Sequence, residues 1–103
     1  MPSVAIQISR FVDEYQPGIV ECVLVDAFGE RHVFVDKAPV VSTENLGPTS
    51  SYPRPGAIAC EVIVEWSNED GQALSRVNTK RPCGVESTEG LTEFVVPASE
   101  VSA

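Results

Sequence analysis

The chain has 103 residues and carries fifteen acidic against seven basic side chains, a net charge of −8. That length is one domain, and the acid balance excludes the basic footprint that nucleic acid or an anionic membrane surface requires. The apolar share of 43% is that of a globular protein, no apolar run approaches the ~18 residues of a membrane helix, and the opening residues lack a signal-peptide pattern, so a cytoplasmic location is expected.

Apolar residues recur at spacing two, in β-branched runs separated by Gly, Pro, Asn and Asp, and helical periodicity is missing. Val4, Ile6 and Ile8 alternate with polar residues as a first half-buried strand. Arg10-Phe11-Val12 breaks its phase and predicts a bulge. Tyr15-Gln16-Pro17-Gly18 reads as a turn, because Pro pre-sets φ and Gly supplies freedom after it. Ile19 to Val25 is a nearly continuous apolar run, expected as a central strand. Asp26-Ala27-Phe28-Gly29 is a tight hairpin loop with Gly29 suited to the left-handed region. Glu30 to Lys37 returns as the third strand, and Pro39-Val40-Val41 ends or re-aims it.

Ser42 to Gly56 is the longest irregular stretch, and three prolines predict an ordered surface loop. Ala57 to Trp66 has the cleanest alternation: Ile58, Cys60, Val62, Val64 and Trp66 on one face, and Ala59, Glu61, Ile63 and Glu65 on the other. Asn68-Glu69-Asp70-Gly71 signals a hairpin. Gln72 to Thr79 pairs back, with Leu74 and Val77 out of strict phase. Val85 to Thr88 and Leu91 to Val96 read as a last hairpin around Glu89-Gly90. The expected fold is all-β: a small antiparallel barrel, or a compressed sandwich, of six to seven short strands with essentially no helix. Residues 1–97 form the single domain, and 98–103 a polar tail that frays.

Little in the chain points to catalysis. His32 would need a nucleophile and an orienting carboxylate brought to it; in Glu30-Arg31-His32-Val33-Phe34 it reads as a surface or partly packed side chain. Glu61 and Glu65, on one strand face, stand about 13 Å apart, too far for a glycosidase pair. Asn68-Glu69-Asp70-Gly71 is far shorter than a calcium loop, and one His with three dispersed Cys makes no zinc set. No catalytic residue, metal or cofactor is assigned. Cys22 and Cys60 are expected as buried reduced thiols, and Cys83, between Pro82 and Gly84, as an accessible turn residue.

Several strings carry a likeness: Phe11-Val12-Asp13 with Pro17-Gly18 and Val20-Glu21-Cys22, Phe34-Val35-Asp36-Lys37 with Pro39-Val40-Val41, Tyr52-Pro53-Arg54-Pro55-Gly56, and Gly84 to Gly90 leading into Glu93-Phe94-Val95-Val96. Together they resemble short bacterial proteins of unassigned function, which implies a small stand-alone protein and supplies no site residues. Immunity proteins, which block a toxin by binding it, share this size and charge.

The leading expectation is therefore a non-enzymatic protein-binding module with a basic protein partner steered by charge. Its contact residues would be the loop aromatics Tyr15, Phe28 and Tyr52 and the strand residues Glu61, Ile63 and Glu65, where Ile63 is an apolar exception on an acidic face. One alternative is a small-molecule-binding barrel or modest enzyme whose pocket gathers His32, Asp36 or Arg54. The other is a structural homodimer.

Overall fold

A computed structural model describes residues 1–14 and 18–103; the expected turn at Tyr15 to Pro17 lies outside the described residues. Strands β1 (Ser3–Asp13), β2 (Ile19–Val25), β3 (Arg31–Lys37) and β4 (Arg54–Ala59) form one antiparallel sheet in the order β3-β2-β1-β4. Strands β5 (Glu61–Ser67), β6 (Ala73–Asn78) and β7 (Glu93–Pro97) form a second, in chain order. The two-residue strand β8 (Val101–Ser102) joins the first sheet beside the start of β1. The sheets do not close into a barrel, so the compressed sandwich is the architecture found. Among the described residues, helix is confined to one turn, α1 (Ala38–Val41), and a 3-10 turn at Ala98–Glu100. No helix among them is long and apolar enough to cross a membrane.

Local chemistry explains the hairpins. Gly29, Gly71 and Gly90 each turn a corner with positive φ (82°, 79° and 83°), a region that a Cβ makes costly. Side chains reinforce each turn. Asp26 Oδ1 accepts from the N–H groups of Phe28 and Glu30, Asn68 Oδ1 from those of Asp70 and Gln72, and Ser87 Oγ from those of Glu89 and Leu91. These are local side-chain caps of the Asx and Ser type. The phase break read at Arg10-Phe11-Val12 is real: the β1–β2 register shifts at Ile8/Arg10 and again at Phe11/Asp13. The residues before Glu89-Gly90 make the turn but no strand, because Val85 N–H bonds Thr79 and Thr88 N–H bonds Val33 instead.

The core lies between the sheets. Val4, Ile6 and Ile8 of β1, Val20, Cys22 and Leu24 of β2, Phe34 of β3 and Ile58 of β4 face Val77, Phe94 and Val96 of the second sheet. Burying one such side chain contributes about 1.5–3 kcal/mol relative to leaving it in water. Pro39 stands in the first turn of α1, where the sequence left open an end or a change of direction. The turn packs Ala38 and Val41 into the core, over Gly56, where a Cβ would meet the Val41 carbonyl oxygen at 2.8 Å.

Two expectations are corrected. Ala57 to Trp66 is not one strand: it belongs to the first sheet up to Ala59 and to the second from Glu61. The chain changes sheets at Cys60, whose N–H bonds the Pro2 carbonyl instead of a ladder partner. Crossing between layers is how one alternating segment serves both sheets of a sandwich. The tail expected at 98–103 carries the 3-10 turn and β8, where Val101 pairs with Val4 and Ser102 with Ser3.

Candidate functional site

β5 departs furthest from its sequence pattern. Val62 stands opposite Val77 and faces inward, but the next pair is Val64 with Arg76, so Ile63 is an extra residue in a bulge. The bulge reverses the alternation beyond it. Glu65 lands opposite buried Ser75, on the inward side, and Trp66 opposite Leu74 on the outer side. Ile63, Val64 and Trp66 are consequently exposed together, at 46%, 46% and 37%. An unbroken alternation would keep Val64 and Trp66 on the face of Val62; the bulge is why they leave it. The same shift separates Glu61, opposite Asn78, from Glu65, so the two carboxylates no longer share a face.

The outer face of the second sheet is correspondingly apolar. Cross-strand pairing groups Val64 with Arg76 and Val95, and Trp66 with Leu74 and Pro97. Its charged members Arg76 and Glu93 approach to 3.7 Å. Leu74 is buried here, outside the main core cluster, which explains why it looked out of phase with Val77.

The other expected contact residues lie elsewhere. Phe28 is 73% exposed at the tip of the β2–β3 hairpin. That hairpin docks on β7 through the Ala27 N–H and the Val95 carbonyl at 2.8 Å, so Phe28 and β5 mark opposite edges of the second sheet. Tyr52 is half-buried against the core, and its hydroxyl donates to the Gly47 carbonyl, which makes it an anchor of the long loop. Tyr15 lies outside the described residues. Glu61, Ile63 and Glu65 thus share strand β5 with Val64 and Trp66, with Glu65 on the inward side, and Phe28 and Tyr52 lie apart from it.

His32, Asp36 and Arg54 do not converge. Asp36 accepts from the Lys37 N–H, and Arg54 pairs with Glu44. His32 is only 8% exposed, more buried than the sequence suggested. Its Nε2 lies 2.8 Å from Asp26 Oδ2, and its ring meets Phe94 edge-on at 4.9 Å. Burial by itself raises the Asp26 pKa, but the His32 hydrogen bond and the N–H groups of Glu30 and Phe28 outweigh it and hold the carboxyl below its ordinary 3.8. Asp26, Glu30 and His32 gather donor atoms within 4.8 Å of one another. The Asp26 carboxylate is already used by two turn amides and the imidazole, and the buried Nδ1, which has no hydrogen-bond partner among the described residues, points away from it across the ring. The cluster is a clamp that holds the hairpin against β7.

The thiols follow the sequence reading. Burial, with Asp36 and Glu21 adding to it, pushes the Cys22 thiol up to about 12, and burial also raises Cys60. Both side chains are buried. Cys83 is exposed. Comparison of the chain with protein-family models, curated proteins and solved structures returns no match.

Proposed function

We propose that the chain is a non-enzymatic protein-binding module whose contact surface is the β5 side of the second sheet. One observation carries this reading: Ile63, Val64 and Trp66 are all exposed on one strand that also carries Glu61 and Glu65. Monomeric proteins scatter exposed apolar residues singly, and a contiguous group framed by charge is typical of interaction sites. The net charge of −8 favours a basic partner and a salt-dependent encounter. A basic toxin is one such partner, and the chain would then act as an immunity protein.

The test is site-specific crosslinking in the native host. A photoreactive phenylalanine analogue at position 63 is compared with one at position 35, since Val35 is equally exposed at 47% on the first sheet. The expected result is one discrete protein adduct from position 63, reduced at high salt, and none from 35. The same adducts from both positions, or none from either, would overturn the proposal. An adduct of two copies of this chain would replace it with the homodimer.

A further inference from the structure

The sheet edges are treated unequally. The β3 edge is capped by the Thr88 N–H on the Val33 carbonyl, and the β7 edge by the Ala27 N–H on the Val95 carbonyl, each at 2.8 Å. The β4 edge carries Pro55, which has no N–H to offer an incoming strand. β5 is the outer strand of its sheet, seven residues long and free of proline, and among the described residues it makes backbone ladder contacts with β6 alone. It is the edge left with a row of unpaired donors and acceptors.

Two clefts flank this edge. One, of about 450 Å³, is lined largely by apolar groups of Met1, Pro2, Cys60, Val62 and Pro82, together with the charged residues Glu61 and Arg81. The other, of about 290 Å³, includes Pro2, Val62, Glu65 and Val101. Both include Pro2 and Val62, so they adjoin one another beside β5. Alternate side chains of an added strand project to the same side about 7 Å apart, the arrangement that lets one strand fill two adjoining clefts.

Charge selects the occupant. A second copy would set −8 against −8, whereas a strand with Lys or Arg beside Glu61 and Glu65 gains two opposite charges at the edge. The glutamates and the bulge at Ile63, devices that discourage indiscriminate strand pairing, thereby act as selectors. We infer that β5 binds an extended basic segment of a partner protein by strand addition, its backbone pairing with Glu61–Ser67, an apolar side chain entering the cleft beside Cys60 and Pro82, and a basic one meeting Glu65. The inference rests on the protein-binding reading and specifies its mode.

The test uses a panel of synthetic peptides about the length of β5, with Lys or Arg placed two residues from Val, Ile or Tyr so that a basic and an apolar side chain project from the same face. A matched panel has Glu in place of the basic residues. Binding is followed by the fluorescence of Trp66, the sole tryptophan, and by amide hydrogen exchange. Basic peptides are expected to bind more weakly as salt rises and to slow exchange within residues 61–67. N-methylation of their alternate amides should weaken binding about tenfold or more, the equivalent of losing one to three hydrogen bonds. Glu65→Lys should shift preference toward the acidic panel.

Protection elsewhere than β5, equal binding of both panels, or no basic peptide binding tighter than ~1 mM would overturn the inference. Concentration-dependent protection of β5 without peptide would assign the edge to a second copy and overturn it too. If crosslinking from position 63 succeeds while peptide binding fails, strand addition falls and the module stands. If crosslinking fails as well, both fall.

Discussion

The two ends of the second sheet solve the same problem differently. At β7 the chain supplies its own cover: the hairpin at Asp26 to Gly29 bonds Val95, and His32 bridges Asp26 to Phe94. At β5 nothing among the described residues pairs with the outer edge, and the bulge turns Ile63, Val64 and Trp66 to solvent together. An edge is closed when another part of the chain brings donors and acceptors to it. The covered edge contributes to the fold, and the open one is available for recognition. Substitutions at the two ends should therefore separate stability from binding.

The largest effect is expected at the covered end. Phe34 is fully buried and meets Phe94 edge-on at 5.5 Å, so Phe34→Ala should cost about 3–5 kcal/mol in denaturant unfolding. A loss under ~1 kcal/mol would mean that this junction does not carry the core. Asp26→Asn comes next, at about 1–3 kcal/mol, because a carboxylate with three hydrogen-bonding partners is replaced by a neutral group.

The Asp26 contribution has a pH signature. Its pKa in the folded chain lies below the ordinary 3.8. Its stabilisation is therefore fully present above that ordinary value and is lost as pH falls through the lowered one. Melting curves from neutral pH down to about pH 2 should show the wild-type advantage over Asp26→Asn shrinking only at the acid end. A gap that stays constant throughout would disprove the ionised clamp.

At the open end the ranking reverses. Ile63→Thr and Trp66→Ser remove apolar surface from partly exposed sites, and Ile63→Thr should change stability by only about 0.5 kcal/mol. Trp66→Ser should reduce crosslinking from position 63, and Ile63→Thr should reduce peptide binding, far more than either reduces stability. A melting-temperature drop comparable to that of Phe34→Ala would make β5 a structural face. The smallest perturbation is chemical: a thiol reagent should modify Cys83 in the native protein and reach Cys22 and Cys60 only on unfolding. Early loss of Cys60, which lines the cleft beside Val62, would instead report opening of the corner between the sheets.

What was legible in the sequence was local. Asp26 to Gly29 and Asn68 to Gly71 declare their turns because a side-chain acceptor and a positive-φ glycine act within a few residues. Strand period and the burial of Cys22 follow equally from neighbouring chemistry. Of the contact site, Glu61, Ile63 and Glu65 were legible as an unusual strand face. Val64 and Trp66 were not, since an unbroken alternation hides the change of sheet at Cys60 and the bulge at Ile63. Both depend on which strand lies alongside, and no residue of the segment announces it.

His32 shows the same limit from the other side. Only the hairpin register, which sets Leu24 opposite His32 and brings Asp26 within reach, turns a strand histidine into a buried clamp. The sequence by itself determined an acidic, all-β chain with its turns in place, because charge, period and turn chemistry act over a few residues. Tertiary structure decided the open sandwich, the clamp and the exposed edge, because edges and sheet crossings exist only once distant strands have paired.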